Sequence, residues 1–425
     1  LKLIMKFNFE EITLLFKNKK FNEAIKILNK FIEIDEKNSN YHFLKGFSNL
    51  SLNNLNNAEK NFTSAININN KNSSFYFYRG LTHHKLNKFS EAVIDYNKAI
   101  TLKPTSPEYY NNLAQIYYIN GKNDQAIDNF IKSVNLNNNS TTSILGLANV
   151  LSQTKDVKNN DSKIIFTHNK LKEIKFKYST EKYIDEKNIK SCLNHVNEII
   201  DKNIKNLEIG IAQTFREQKS PPNCSRHKKI FNTYSAIPKF CFGCYKIQID
   251  LNNVVDLIKL HFVFDNFNFK NDNIRKCMIE LRSGISGKYK GLIFCNSIEE
   301  SENIIKELKI ILFRNFNKEL KYKIKRGCSE YAIKYPEYDS LKDNAMKYNF
   351  DWEKYEKIID EENPDLAFNK NVRPTIKGLT LFDSLVIRNW LAFARMIGDN
   401  SYKIISNRNF YSNFVEKKLK LLKIT

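Results

Sequence analysis

The sequence predicts an N-terminal all-α solenoid followed by a C-terminal α+β domain with a helical C-terminal extension. Three observations carry this prediction: a 34-residue repeat, an ordered series of strand and helix patterns after residue 240, and the apolar helical pattern "LFDSLVIRNWLAFARMIGD". At 425 residues the chain is long enough for two or three domains. The expected segments are a solenoid at 5–155, a linker and helical segment at 156–235, an α+β domain at 236–335 and a helical segment at 336–425.

The repeat becomes visible when 34-residue windows are aligned from Ser39, Ser73 and Pro107. The windows share a small residue at the eighth position, alanine at the twentieth and an aromatic residue at the twenty-fourth. These residues are Gly46, Gly80 and Ala114; Ala58, Ala92 and Ala126; and Phe62, Tyr96 and Phe130. Apolar residues recur at helical spacing within each window. Small residues belong where two helices of a hairpin approach closely, so the pattern predicts stacked helical hairpins that bury a continuous core.

This repeat resembles the tetratricopeptide repeat family over residues 5–152, with about four and a half copies, whereas the C-terminal half resembles no family that we identify. The resemblance implies a groove, lined by the first helix of each repeat, that holds a peptide or a partner's helix. The inward positions of that groove would be Phe43, Phe47, Phe77, Leu81, Asn111, Gln115 and Tyr118.

Chaperone-binding members of this family grip a C-terminal carboxylate with a clamp of Lys, Arg and Asn. Here Phe43 and Phe47 occupy two clamp positions and Glu108 lies near the third. The resemblance therefore favours an apolar protein segment as partner over a chaperone tail. The alternative is that the C-terminal half covers these aromatic residues.

Charge and cysteine content restrict the class of protein. The net charge is +22, yet only 11 of the 68 basic residues are arginine, and the Lys, Asn and Ile excess is what A+T-rich coding DNA produces. Binding of single-stranded nucleic acid stays open as a second alternative, because it needs only lysines on one face. Seven cysteines in so long a chain do not form a secreted disulfide framework. With no apolar stretch of membrane-spanning length and no signal peptide, the expected location is cytoplasmic, and Met5 is a candidate start.

The α+β prediction comes from the order of patterns after residue 240. Strand alternation at 244–250, 276–283, 288–297 and 321–333 is interrupted by helical patterns at 252–267 and 298–316. The second helical pattern follows a capping box of Ser297 and Glu300. The resulting order β-α-β-β-α-β favours a ferredoxin-like split βαβ domain with both helices on one face of an antiparallel sheet.

The other face of that sheet should be solvent-open and rich in charge. Alternation places Lys246, Gln248, Glu280 and Arg282 on it, with Arg326 and Cys328 as further candidates. Such a face suits an anionic ligand or a catalytic site, and scattered surface ion pairs are the alternative.

In the last helical pattern, Arg388 and Arg395 share one face and must reach an anionic partner or extend to solvent.

The chain contains no familiar catalytic motif, which leaves an enzymatic role undecided.

Two pairs of residues have metal-ligand spacing: Cys224-x-x-His227 and Cys241-x-x-Cys244. Thiolates and imidazole suit tetrahedral zinc, and a two-residue gap lets both members of a pair reach one ion. A redox dithiol and simple buried cysteines are the alternatives.

These patterns together predict an interaction or scaffold protein whose helical groove recruits a partner to the α+β domain. An enzyme or anionic-ligand-binding protein is the main alternative.

Overall fold

A computed structural model describes most of the chain. The described residues are 11–138, 140–154, 157, 162–174, 183–204, 207–216, 223–282, 285, 287–341, 345–363 and 378–422. Met5 lies outside them. The chain divides into two compact units, Leu1–Ser143 and Ile144–Thr425, and the division falls inside a helix.

The N-terminal unit consists of helices in sequential pairs. After a helical stretch at 11–17, they are α1 Phe21–Ile34, α2 Ser39–Ser51, α3 Leu55–Ile68, α4 Ser73–Lys85, α5 Phe89–Leu102, α6 Pro107–Ile119, α7 Asn123–Leu136 and α8 Thr141–Leu151. Asparagine side chains cap the N-termini of α2 and α4. The Asn38 and Asn72 carboxamide oxygens accept hydrogen bonds from the backbone N–H groups of Asn40 and Ser74. Pro107 occupies the first turn of α6, where its missing N–H costs nothing.

The repeated small residues lie where helices of one pair meet. A Cβ atom placed on Gly46 would be 2.8 Å from the Phe62 ring, and one on Gly80 would be 2.9 Å from the Tyr96 ring. The rings of Phe62, Tyr96 and the equivalent Phe130 are buried. The close approach of helices expected at the eighth position is therefore present in the two repeats that have glycine there.

The C-terminal unit is built around a five-stranded antiparallel sheet. Its strands are β1 Gln213–Arg216, β2 Tyr245–Leu251, β3 Arg275–Ile279, β4 Tyr289–Cys295 and β5 Lys321–Arg326, in the spatial order β1-β3-β4-β2-β5. Without β1, this is the strand order of a ferredoxin-like split βαβ domain. The crossover helices, α13 Val254–Asn266 and α14 Ile298–Phe316, contact each other and the sheet.

Helix α13 lies close to the sheet because Gly291 of β4 has no side chain. A Cβ atom there would be 2.2 Å from Leu260. Gly291 pairs with Ile249 of β2, so β2 presents its isoleucines to the helices and Lys246 and Gln248 to the opposite face.

Further helices complete this unit. They are α9 Lys163–Glu173, α10 Glu186–Asn203, α11 Cys224–Tyr234, α12 Lys239–Phe242, α15 Ser329–Lys334, α16 Glu353–Glu362, α17 Leu381–Met396, α18 Tyr402–Ile405 and α19 Asn413–Leu421. As its composition predicts, α17 is buried on nearly all sides. Its Trp390 indole donates to the Ala212 carbonyl at 2.9 Å, and Asn389 donates to the Ile209 and Ile211 carbonyls. These bonds attach the segment that leads into β1 to α17.

Two features differ from the sequence-based expectation. The segment expected to be a linker and helices supplies the edge strand β1, which is too short for its alternation to stand out. The strand expected at 321–333 ends at Arg326, and helix α15 follows. Gly327 has a φ of 52°, and a Cβ atom there would be 1.8 Å from the Tyr338 hydroxyl, so the chain turns where only glycine fits.

A buried ionic cluster joins β1 to two helices of this unit. The Arg216 Nε atom is 2.7 Å from an Asp265 carboxylate oxygen in α13, and its Nη1 atom is 3.1 Å from an Asp383 oxygen in α17. Arg216 also donates to the Gly378 carbonyl. All three charged side chains are buried, and the carboxylates raise the pKa of Arg216 beyond its ordinary value despite burial.

Candidate functional site

The aromatic residues expected in the repeat groove are half-buried and packed against neighbouring rings. The Phe43 ring centroid is 5.1 Å from that of Phe75 and 5.4 Å from that of Tyr78. Phe47 also contacts Tyr78, at 5.4 Å. Phe77 lies 4.8 Å from Tyr109. These rings therefore stack one repeat on the next and offer a partner only part of their surface.

The other expected groove residues differ in accessibility. Leu81 packs against the cluster around Phe62, and Asn111 is 8% exposed, with its side-chain oxygen accepting a hydrogen bond from Ser143 at 3.2 Å. Gln115 and Tyr118 on α6 are half-buried. The half-buried positions of the groove therefore include polar as well as aromatic side chains.

Exposed apolar residues recur along the repeats at a different position. Ile34, Ile68 and Leu136 are 61%, 39% and 44% exposed, and each ends the second helix of its pair. Their spacing follows the 34-residue repeat. This row was not predicted from the sequence, although the 34-residue period places its members at equivalent positions.

A charge network links α3, α4 and α5. Arg79 donates two hydrogen bonds to Asp95, at 2.9 and 2.7 Å, and His83 Nδ1 lies 3.0 Å from the same carboxylate. Glu59 contacts His83 and Lys88. Burial raises the pKa of Asp95, but the bonds from His83 and Arg79 bring it below its ordinary value. Arg79, the one arginine before residue 200, therefore has a structural partner.

In the C-terminal unit, the sheet face opposite the helices is covered rather than solvent-open. Lys246 and Gln248 are 5% and 2% exposed. The Lys246 ammonium lies 3.5 Å from the Cys328 sulfur at the start of α15. Cys224 of α11 lines the same small cavity as Phe294, which projects from this face. The segments that follow β1 and β5 therefore contribute residues, among them Cys224 and Cys328, that lie over this face.

Glu280 and Arg282 lie together on that face, as alternation predicts. Both Glu280 oxygens accept hydrogen bonds from Arg282 at 2.8 Å, and Lys290 donates to one of them at 2.9 Å. Arg282 also reaches Glu330, at 2.6 Å. Arg282 is thus paired with two carboxylates, and an anionic ligand would have to compete with them for its guanidinium group.

The remaining candidate arginines lie elsewhere. Arg326 donates to the Met346 carbonyl at 2.7 Å. Arg388 reaches an anionic partner, Asp201, at 2.8 Å. The Nε atom of Arg395 is buried without a hydrogen-bond partner among the described residues. The structure does not bring these three arginines to the Glu280 cluster.

The four residues with metal-ligand spacing do meet. Cys224, His227, Cys241 and Cys244 line one small cavity, and Cys328 joins them. Nevertheless, in the part of the chain that the structure describes, no group of three or more His, Cys, Asp or Glu residues is placed to hold a metal ion. Zinc binding stays a prediction.

Burial also affects this group's chemistry. It raises the pKa of Cys244 to about 11 and lowers the pKa of His227 to about 4. A thiol with a raised pKa forms little thiolate at neutral pH, so it is poorly suited to redox chemistry.

A cavity of about 520 Å³ lies beside β1 and β3 within the C-terminal unit. Its walls combine apolar residues, among them Met278, Phe382 and Phe414, with basic residues. Lys276 of β3 is one of these basic residues and was not among the site residues predicted from the sequence. Strand alternation would have placed it on the same face as Glu280.

Comparison with known proteins bears on the N-terminal unit. Residues 13–38 and 107–140 match the family model for the tetratricopeptide repeat, and residues 83–121 match a second model described as TPR repeat. The N-terminal unit is a tetratricopeptide-repeat array. For the C-terminal half no family was found. No curated protein matches the chain.

Solved structures with a tetratricopeptide fold align with about a third of the chain. MamA is 17% identical, with a TM-score of 0.31, and the alignment covers 32% of this chain and 80% of that one. TTC0263 of Thermus thermophilus, a thermophilic TPR protein, is 17% identical at a TM-score of 0.30, covering 33% and 77%. The first TPR of Spaghetti (RPAP3), solved with an HSP90 peptide, is 18% identical at 0.27, covering 27% and 92%.

No helix in the described parts of the chain is long and apolar enough to cross a membrane.

Proposed function

We propose that this protein is a protein-interaction protein whose tetratricopeptide groove binds a segment of a partner and recruits it to the C-terminal α+β unit. The observation that carries the proposal is the repeat array itself, with its family-model matches and its stacked helical pairs. Arrays of this kind expose an extended concave surface that suits partner binding.

The partner segment in this proposal is partly apolar. The half-buried rings of Phe43, Phe47 and Phe77 would supply apolar contacts at one end of the groove. Gln115 and Tyr118 would supply polar contacts at the other end. Aromatic anchors surrounded by polar groups are typical of protein interfaces.

Site-specific photo-crosslinking in the full chain tests the proposal. A benzophenone side chain replaces Gln115 in the groove, Ile68 in the exposed apolar row, or Asp128 on the outer helix α7, and each variant is irradiated in extract of its source cells. We expect one crosslinked protein from position 115 and none from position 128. The peptide that mass spectrometry identifies should then bind the unmodified chain, and Gln115→Lys should weaken that binding.

Two results would contradict parts of the proposal. Equal crosslinking from positions 115 and 128, or crosslinking from position 68 alone, would exclude the groove as the binding surface. Recruitment is tested by hydrogen exchange of the complex with the whole partner. If protection is limited to amides of the N-terminal unit, the partner is bound but is not brought to the C-terminal unit.

A further inference from the structure

The 520 Å³ cavity of the C-terminal unit has the composition of a ligand site and is separate from the repeat groove. Its volume lies within the range of natural small-molecule pockets. Phe215, Met278, Phe382 and Phe414 give it an apolar wall. A cavity with such a wall favours a ligand with an aromatic or aliphatic body.

The charged side chains that line the cavity differ in whether they have a partner of opposite charge. Five basic and three acidic residues line it. Asp265 and Asp383 neutralise Arg216, and Glu280 and Glu330 bind Arg282. Lys228 and Lys418 are exposed at the surface.

Lys276 is the exception. Its ammonium donates a 3.3 Å hydrogen bond to the neutral Gln213 side chain, and no described carboxylate lies within ion-pair distance. The rings of Phe215 and Phe294 also lie near it, with centroids 5.7 and 5.8 Å from the Nζ atom. An ammonium on a cavity wall with only one neutral acceptor favours an anion from solution.

We propose that this cavity binds an organic anion, with the ligand's carboxylate, sulfonate or phosphate group against Lys276 and its apolar body against Met278, Phe382 and Phe414. The proposal does not depend on partner binding by the repeats.

The protonation of Lys276 supplies a second measurable property. Burial, and then the charge of nearby Lys246, lower the pKa of Lys276 to about 8, with a smaller effect of Arg282, whereas Cys328 and Glu330 act in the opposite direction. A bound anion favours the charged ammonium. Affinity for an anion should therefore fall as pH rises through 8, because the unbound lysine loses its proton in that range.

A pair of fluorescent probes tests the charge requirement. Anilinonaphthalene sulfonate carries a permanent negative charge on an aromatic body, and N-phenyl-1-naphthylamine is its neutral counterpart. We expect the full chain to bind the sulfonate at one saturable site. Lys276→Met should weaken that binding ~10-fold or more, the usual effect of losing a charged hydrogen bond. It should leave binding of the neutral probe unchanged.

Two further variants make the test decisive. Lys276→Arg keeps the charge, so it should retain sulfonate binding and lose the dependence on pH near 8, since arginine does not titrate there. Lys306→Met removes an exposed lysine of α14 and should change nothing. Circular dichroism and thermal melting verify that each variant is folded. Equal sulfonate affinity in the wild type and in folded Lys276→Met would overturn the proposal, as would a pH dependence that persists in Lys276→Arg.

Discussion

The two units of this chain are stabilised in different ways. In the repeat array, the paired and neighbouring helices that contact one another are close in sequence, and the same small and aromatic residues recur in each pair. In the C-terminal unit, key contacts join residues far apart, as between Arg216 and Asp383, which are 167 positions apart. A repeated pattern makes a fold predictable from its sequence, and a substitution in one repeat affects mainly that repeat and its neighbours. Long-range polar contacts instead make stability depend on a few side chains.

The largest effect should come from removing the centre of the buried cluster in the C-terminal unit. Arg216→Met leaves Asp265 and Asp383 buried without their partner, which we expect to reduce the free energy of unfolding by about 3–5 kcal/mol. Urea denaturation measures the loss, and hydrogen exchange should locate it in β1, α13 and α17. Arg314→Met, at an exposed position of α14, is the matched control. Equal effects of the two substitutions would show that the stability of the C-terminal unit is not concentrated in its buried cluster.

A smaller effect is expected for the corresponding network of the repeat array. Asp95→Asn weakens the bonds to Arg79 and His83, and the cost should be about 2–3 kcal/mol because Arg79 is partly exposed and can recover water. Faster hydrogen exchange should be confined to α3, α4 and α5. Asp128→Asn, on the exposed face of α7, provides the control. Faster amide exchange throughout the chain would show that the effect of the substitution is not limited to neighbouring repeats.

The buried imidazole of His168 should lower the stability of the C-terminal unit. It is buried, and neither ring nitrogen has a hydrogen-bond partner among the described residues. His168→Leu should therefore stabilise the unit by about 1–2 kcal/mol at pH 7.

The advantage of His168→Leu should depend on pH. Burial lowers the pKa of His168 from 6.5 to about 4. The unfolded chain therefore binds a proton first as pH falls from 6.5, and wild-type stability declines by up to about 1.4 kcal/mol per pH unit. Denaturation curves between pH 7 and 4.5 should diverge for the two proteins, and parallel curves would contradict the assignment.

The smallest effect is expected at an exposed ion pair. Lys309 and Glu319 are 3.0 Å apart, but both are mostly exposed, so water screens their attraction. Lys309→Met should leave the urea midpoint of the C-terminal unit unchanged within error. A clear loss of stability would mean that surface charge contributes to this unit as well as its buried clusters.

Sequence patterns predicted the parts of this fold that depend on local or periodic information. The repeats follow from Gly46, Gly80 and their equivalents, and the strand order agrees with the ferredoxin-like expectation. The edge strand β1 was missed because four residues carry too little alternation, and its stability comes from α17, far along the chain.

The candidate site was less predictable for a related reason. Alternation placed Lys246, Gln248 and Glu280 on one face, but it carries no information about what covers that face. Lys276 lies on the same face and was not singled out, since its lack of a carboxylate partner depends on neighbours from several elements. In the same way, the two-residue spacing suggested that Cys241 and Cys244 could act together, and they do line one cavity with Cys224. The spacing could not tell whether these side chains are placed to hold a metal ion, and among the described residues no such group is found.

The distance along the chain between Arg216 and Asp383 also sets an order of events during synthesis. At typical elongation rates of about 5–20 residues per second, Asp383 follows Arg216 by roughly 10–30 s. Successive repeats can stack as their helices emerge from the ribosome, whereas β1 must wait for helix α17, which is made much later. During that interval Arg216 has Asp265 available but lacks its second counter-charge, Asp383, so the edge of the sheet is incomplete in the nascent chain.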